Sequence, residues 1–239
     1  MDKPKVLVFD IETSGGLKAH MSEVSAFGYK WLGQGKPKIL SHLDYPNSHF
    51  TNDKPLLKEL SKVWNEADAV IAHYGERFDR RFLNSRIERH SLPHLKPIPL
   101  IDTWRISKDN FALQGNSLNV LLKFFNCPYQ KLDLSYEEWR QVMLGNKKAQ
   151  RKLNAHCYYD VLGLEWVFEK HLRHYTNKLP SQALVAGQGK LVCPECGGND
   201  LQRRGYAVRR ATIMRQYWCK NPACHAWPKG PITGKGVLR

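Results

Sequence analysis

Nowhere does the sequence hold the roughly 18 consecutive apolar residues that a membrane-spanning helix requires. Its start, MDKPKVLVFD, meets an acid before an export-signal core could form. Together these absences predict a cytoplasmic protein with no membrane partner. Acids are scarce: 22 Asp and Glu stand against 37 Lys and Arg, for a net charge of +15, so a polyanion is the first partner to consider. Internal repeats and low-complexity tracts are missing as well. With 42% hydrophobic and 11% aromatic residues the chain has ample material for a core, which excludes disorder as the default state.

The shortage of acids is uneven. Residues 181–239 carry 10 basic and 2 acidic side chains, whereas residues 1–180 carry 27 and 20. Cysteine divides the same way. Four of the six crowd into the basic tail, as Cys193-Pro-Glu-Cys196 and Cys219-Lys-Asn-Pro-Ala-Cys224, while Cys127 and Cys157 stand alone. Without a secretory signal, paired clusters point to metal rather than disulfides, and four thiolates suit one tetrahedral structural Zn²⁺. A short tail with few large aliphatics needs such a staple to fold. His225 competes as the fourth ligand, and a redox pair or free thiols is the remaining alternative. The module resembles a zinc ribbon, two knuckles flanking a β-hairpin, with Tyr206–Val208 and Ile213–Trp218 as expected strands. Arg203, Arg204, Arg209, Arg210 and Arg215 interleave with Tyr206 and Tyr217, a composition suited to phosphate contact and base stacking. The plainer reading of any single Arg is a solvated basic surface, and a protein is the other partner the ribbon could take.

In the longer part, Lys5–Glu12 is a nearly continuous apolar run of strand length and predicts a buried central strand. Val24–Leu32 and Pro37–Leu43 follow as an antiparallel meander with it. Pro55 opens a helix to Glu66, and Ala69–His73 is a short apolar strand. A helix over Asp79–His90 and a strand over Ile98–Thr103 come next. Ser117 caps a helix carrying Leu118, Leu121, Leu122 and Phe125, and Ser135 begins a capping box for Tyr136–Leu144. Lys148–Tyr175, with no Pro and a single Gly, predicts one long helix.

Asp10 and Glu12 lie two apart on the first strand and project from one face. Adjacent carboxylates in an apolar run are costly unless a cation sits between them, although a solvated strand end is the bland alternative. FDIET is followed by Ser14-Gly15-Gly16-Leu17, and the whole resembles the first motif of the DEDD-type 3′-to-5′ exonucleases. AVIAHYGERFDRRFL supplies the second motif with Asp79, although Tyr74 stands where many relatives have Asn. HCYYDV supplies Asp160, with His156 four residues before it: the histidine of one class of the family at the position where the other class has tyrosine. Residues four apart on a helix share a face, and an unperturbed histidine pKa of about 6.5 suits a general base near neutrality.

The resemblance, which spans roughly residues 5–175, implies an α/β fold of the RNase H-like kind, a mixed five-stranded sheet flanked by helices. It implies two Mg²⁺ or Mn²⁺ ions shared by Asp10, Glu12, Asp79 and Asp160, a water activated by His156, and Thr13 and Leu17 near the terminal nucleotide. Asp102 is a decoy acid, either close behind the site or an ordinary cap. Lys131 and the 117–125 helix are expected to line the groove. The expected layout is an exonuclease domain over 1–178, a linker over 179–190 and the zinc ribbon over 191–239. The expected activity is release of nucleoside monophosphates from 3′ ends, with single-stranded DNA favoured over RNA. A catalytically idle nucleic-acid-binding or adaptor protein, and an RNA-trimming or endonucleolytic enzyme, are the alternatives.

Overall fold

A computed structural model describes residues 4–16, 18–129, 132–176, 191–209, 212–224, 226–230 and 232. The chain divides into two compact units, one within residues 5–178 and one within residues 179–239. Leu17, Lys131, Arg210, His225 and the expected linker over 179–190 lie outside the described residues.

The larger unit is built on a five-stranded sheet in the order β3-β2-β1-β4-β5. β1 (Val6–Thr13), β2 (Val24–Trp31) and β3 (Lys38–Ser41) form the antiparallel meander. β4 (Ala69–Ala72) and β5 (Leu100–Asp102) add to β1 in parallel. One face of β1 presents Leu7, Phe9 and Ile11 to α1 (Lys54–Glu66) and α2 (Asp79–Arg89), where Leu56, Leu57, Leu60, Trp64, Phe82 and Leu83 complete the core. Alternation puts Asp10 and Glu12 on the opposite face. That face is covered by α6 (Lys147–Val167), which Gln150–Ser25, Asn154–Ser41 and Lys30–Glu165 contacts stitch to β2 and β3.

Local signals explain several boundaries. Ser117 accepts from the Val120 N–H at the start of α4 (Leu118–Phe124), and Ser135 with Glu138 forms the capping box of α5 (Tyr136–Met143). Two expectations are corrected. The strand expected to reach Thr103 stops at Asp102, whose carboxylate accepts from the N–H groups of Trp104 and Arg105 and opens α3 (Thr103–Asn110), an unforeseen helix. The long helix ends at Val167 and continues as a π turn, Phe168–Leu172, then a 3₁₀ turn, Arg173–Tyr175. Phe168 and Leu172 are buried there, and the wider turn accompanies stacking of His171 on Phe125 at 4.0 Å.

One buried ion pair holds α1, α2 and β2 together. Asp53, fully buried just before α1, accepts from Arg86 Nε and Nη2 at 2.8 Å each, from the Val24 N–H at 3.0 Å, and pairs with His90 Nε2 at 2.6 Å. Burial by itself would push this carboxyl up, but the bonds from Arg86, Val24 and His90 outweigh it and hold it below its usual 3.8.

The smaller unit is an antiparallel sheet in the order β6 (Leu201–Arg209), β7 (Thr212–Cys219), β8 (Lys229–Gly230). Its strands run longer than the apolar residues alone indicate, the third was not foreseen, and the β6–β7 register shifts between Arg203 and Tyr206.

Asp53→Asn should therefore destabilise the larger unit by about 3–5 kcal/mol in denaturant titration, because Arg86 would be left buried without its counter-charge. The folded value of Asp53 lies below its unfolded one. Its contribution should thus be present above about pH 4 and fade as pH falls through the folded value, a dependence that Asp53→Asn should abolish.

Candidate active site

Asp10 lies opposite Gly28 in the β1–β2 register, on the face that α6 covers. A Cβ on Gly28 would come within 2.7 Å of Cys157 Sγ and 2.9 Å of Val161 Cγ2, so glycine is what lets α6 approach β1 and β2 this closely. The approach carries three α6 side chains to the carboxylates. Cys157 Sγ lies 3.8 Å from Asp10 Oδ2. His156 Nε2 lies 3.5 Å from Glu12 Oε1 and 3.6 Å from Asp160 Oδ2. Ligand atoms of Asp10, Glu12 and Cys157, and again those of Glu12, His156 and Asp160, lie within 4.8 Å of one another.

His156 is buried and its other nitrogen is committed. Nδ1 contacts the carbonyl oxygen of Leu132, which can only accept, so Nδ1 carries a proton and Nε2 is the nitrogen that gains or loses one. Trp139 of α5 packs edge-on to the imidazole, 6.4 Å between ring centres. The ring is thereby aimed at the two carboxylates.

Asp79 belongs to neither of those groups. It is the first residue of α2, 2% exposed, and accepts a backbone hydrogen bond from Ile11 of β1. Its Oδ1 has no hydrogen-bond partner among the described residues. Burial pushes its carboxyl up to about 7, and the charge of Asp102 adds to the rise. An orphaned buried carboxylate oxygen beside a strand bearing Asp10 and Glu12 fits a centre designed for a cation.

Asp102 itself braces the approach to Asp79. Besides capping α3, its oxygens accept from the N–H groups of Tyr74 at 3.0 Å and Glu76 at 3.1 Å. Tyr74 has a φ of 63°, a left-handed conformation that Asn tolerates better than Tyr, and its ring lies 5.0 Å from that of Trp104. The Asn expected here thus matches a backbone requirement.

Thr13 ends β1 and donates to the Gly16 carbonyl at 3.0 Å. With Gly15, Tyr136, Trp139 and Met143 it lines a recess of about 320 Å³. Cys157, Leu132 and Trp139 were not anticipated. Cys157 could have been found from its place three residues before Asp160 on one helix. Burial, followed by the nearby Asp10, Glu12 and Asp160 charges, pushes its thiol well up, so it stays protonated and acts as a donor.

In the smaller unit the four thiols meet. Cys193 Sγ and Cys224 Sγ are 3.7 Å apart, Cys196 Sγ and Cys219 Sγ 3.6 Å, and all four lie within 4.8 Å of one another. A disulfide would need about 2.05 Å. The edge of a tetrahedron with Zn–S bonds of about 2.3 Å is about 3.8 Å, so the cluster is consistent with zinc. Burial pushes Cys193 up to about 11, a cost that metal binding removes by fixing the thiolate. On the hairpin Arg203 and Arg204 are exposed; the Arg204 guanidinium lies 5.5 Å from the Trp218 ring and that of Arg215 4.5 Å from Tyr206. Arg209 ends β6.

Comparison with known proteins gives a consistent picture. A family model described as the RNase_H superfamily matches residues 7–172. A DNA polymerase III PolC-type of Ureaplasma parvum is 24% identical in an alignment 190 positions long that covers 71% of this chain and 13% of the polymerase. Its counterpart in Streptococcus sanguinis is 28% identical in an alignment 138 positions long that covers 50% of this chain and 9% of that one. The structure of the family B DNA polymerase from the archaeon Pyrobaculum calidifontis superposes with a TM-score of 0.55 at 14% identity, covering 70% of this chain and 25% of that chain, a likeness of fold. The chain therefore spans a small part of the relatives it matches.

Two outcomes follow from this geometry. Gly28→Ala should cost about 1–3 kcal/mol of stability and lower divalent-cation affinity, because α6 must move off the sheet; unchanged cation binding by calorimetry would detach the site from this contact. Metal analysis should find one zinc per chain, reduced at least tenfold by Cys193→Ser with Cys219→Ser.

Proposed function

The chain belongs to the RNase H superfamily, and from that premise we propose that its larger unit is a metal-dependent 3′-to-5′ exonuclease acting on single-stranded DNA ends. The observation that carries this reading is the convergence of Glu12, Asp160 and Nε2 of His156 beside Asp10, each held by a different local constraint.

Asp10, Glu12, Asp79 and Asp160 would hold two Mg²⁺ or Mn²⁺ ions, which supply neutralisation of phosphate charge and activation of water. Hard carboxylate oxygens suit those ions. The Asp79 carboxylate, pushed up to about 7 by burial, ionises more readily once a cation faces it. His156 takes the proton at Nε2, because the Leu132 carbonyl keeps Nδ1 protonated and fixes the ring. Cys157 donates to Asp10 and steadies it. Thr13, with the recess lined by Tyr136, Trp139 and Met143, takes the terminal nucleotide, its base against the rings and its sugar toward the carboxylates.

DNA is favoured over RNA because the sequence relatives are DNA polymerases. The zinc ribbon, in which Arg203 and Arg204 are exposed near the exposed Tyr206 and Arg209 and Arg210 follow in sequence, acts as a second grip that raises the local concentration of the strand; Tyr217, expected to stack a base, is buried and does not offer its ring. The ribbon reaches from 191 to 239, behind a linker at 179–190, and the nuclease domain covers 1–178.

The decisive assay supplies end-labelled single-stranded and duplex DNA and RNA with Mg²⁺ or Mn²⁺. Stepwise shortening from the 3′ end is expected, and Asp10→Ala or Asp160→Ala should reduce it at least a thousandfold. Internal cuts, or activity that survives both changes, would sink the reading. His156→Ala should lower kcat about 10²–10⁴-fold.

A further inference from the structure

Behind the N-terminus of α2 lies a groove of about 370 Å³ that the proposed chemistry does not use. Its walls are the loop at Lys18–His20 and the first turns of α2, and its floor is Phe78 and Phe82, whose rings lie 5.7 Å apart. Lys18, Arg77 and Arg81 all line it and all are exposed. No acid lines the groove, and none of these three cations forms an ion pair among the described residues. Arg77 is held at 5.9 Å from the Trp104 ring, which limits the freedom it would lose on binding a ligand. Exposed cations ordinarily sit among acids; three unopposed ones around an apolar floor form a site for an anion with an apolar body.

We propose that this groove carries the phosphodiester backbone of the substrate strand beyond the nucleotide being removed. The assignment rests on the active-site reading above. Three features favour a strand over a free anion. Phe78 is both the floor of the groove and the residue before Asp79, so the groove and the acidic centre share the start of α2. Arg77 in the turn before α2 and Arg81 in its first turn line the same groove, so two successive phosphates of one strand could each meet a guanidinium. Phe78 is half-buried with one face toward the groove, a surface for a base or sugar rather than for a bare ion. An acidic centre repels the phosphates it must process, and cations outside it restore affinity without competing for its metal ions. The groove thus gives the larger unit its own hold on the strand, separate from the ribbon, and should make affinity rise with strand length.

The test uses the full chain with Ca²⁺ in place of Mg²⁺, and measures binding of fluorescent oligodeoxynucleotides by anisotropy over a salt series. Loss of two contacts to single strands should flatten the slope of log K against log salt by about 1.4. We expect that change for R77A/R81A, a slope restored by R77K/R81K, and loss of the rise in affinity between a dinucleotide and a decanucleotide in the alanine variant. An unchanged slope and an intact length dependence would overturn the groove while leaving the active-site reading standing. A flattened slope on strands that the wild type does not hydrolyse with Mg²⁺ or Mn²⁺ would overturn the active-site reading, and with it the assignment of the groove to a substrate path. Displacement of the decanucleotide by a mononucleotide at equal phosphate concentration would also overturn it, by showing a free-anion site.

Discussion

The closeness of α6 to the sheet at Gly28 is the constraint on which the candidate site depends. A side chain there would strike Cys157 and Val161, and the turn of α6 that follows would be lifted off β1. With glycine, the face of β1 that should be least hospitable to charge receives Asp10 and Glu12, and α6 brings His156 to 3.5 Å from Glu12 and 3.6 Å from Asp160. Carboxylates gathered in a partly buried cleft repel one another, and His156 cannot neutralise them alone. The protein bears this cost because the rest of the larger unit is held rigid elsewhere, in part by the Asp53–Arg86–His90 cluster that pins α2 to β2 on the other face. A site that favours binding a cation over standing empty needs such a frame, since a looser one would relax by separating the acids.

How much of this the sequence discloses depends on the range of the interaction concerned. Apolar alternation and end-caps are local. The β1 run, the Ser117 cap and the Ser135 box therefore translate into elements with boundaries shifted by a residue or so. Asp102 was ambiguous because one carboxylate serves two partners 26 to 28 residues away as well as its own helix, and only the latter is written locally. Asp53 gives no sign of being a buried ion, since its partner Arg86 lies 33 residues on, among other arginines. The end of α6 at Val167 carries neither Pro nor Gly; the π turn follows from packing of Phe168 and Leu172, which periodicity does not encode. For the site itself, residue types and order were legible, whereas the committed nitrogen of His156 was not, because it is fixed by a backbone carbonyl at Leu132 that any side chain would offer.

The two candidate metal centres separate by chemistry as cleanly as by sequence. Four soft thiolates with short S···S distances suit zinc and hold a small sheet with few aliphatics in its interior. Hard oxygens on a rigid strand and helix suit ions that exchange ligands. Exchange of ions between the centres would be unfavourable at both, which would let each serve the role proposed for it, one structural and one chemical.

Charge follows the same division and resolves what a total of +15 leaves open. The excess cannot be placed in the acidic centre without displacing metal, and a uniformly basic surface would hold nucleic acid in any register. If the groove at Phe78 carries the strand as proposed, its cations give attraction a direction, since the strand gains most when its end lies over the carboxylates. The ribbon's arginines would add affinity without direction. On the proposed function, preference for an end follows from where positive charge stops, and the four acids mark that boundary.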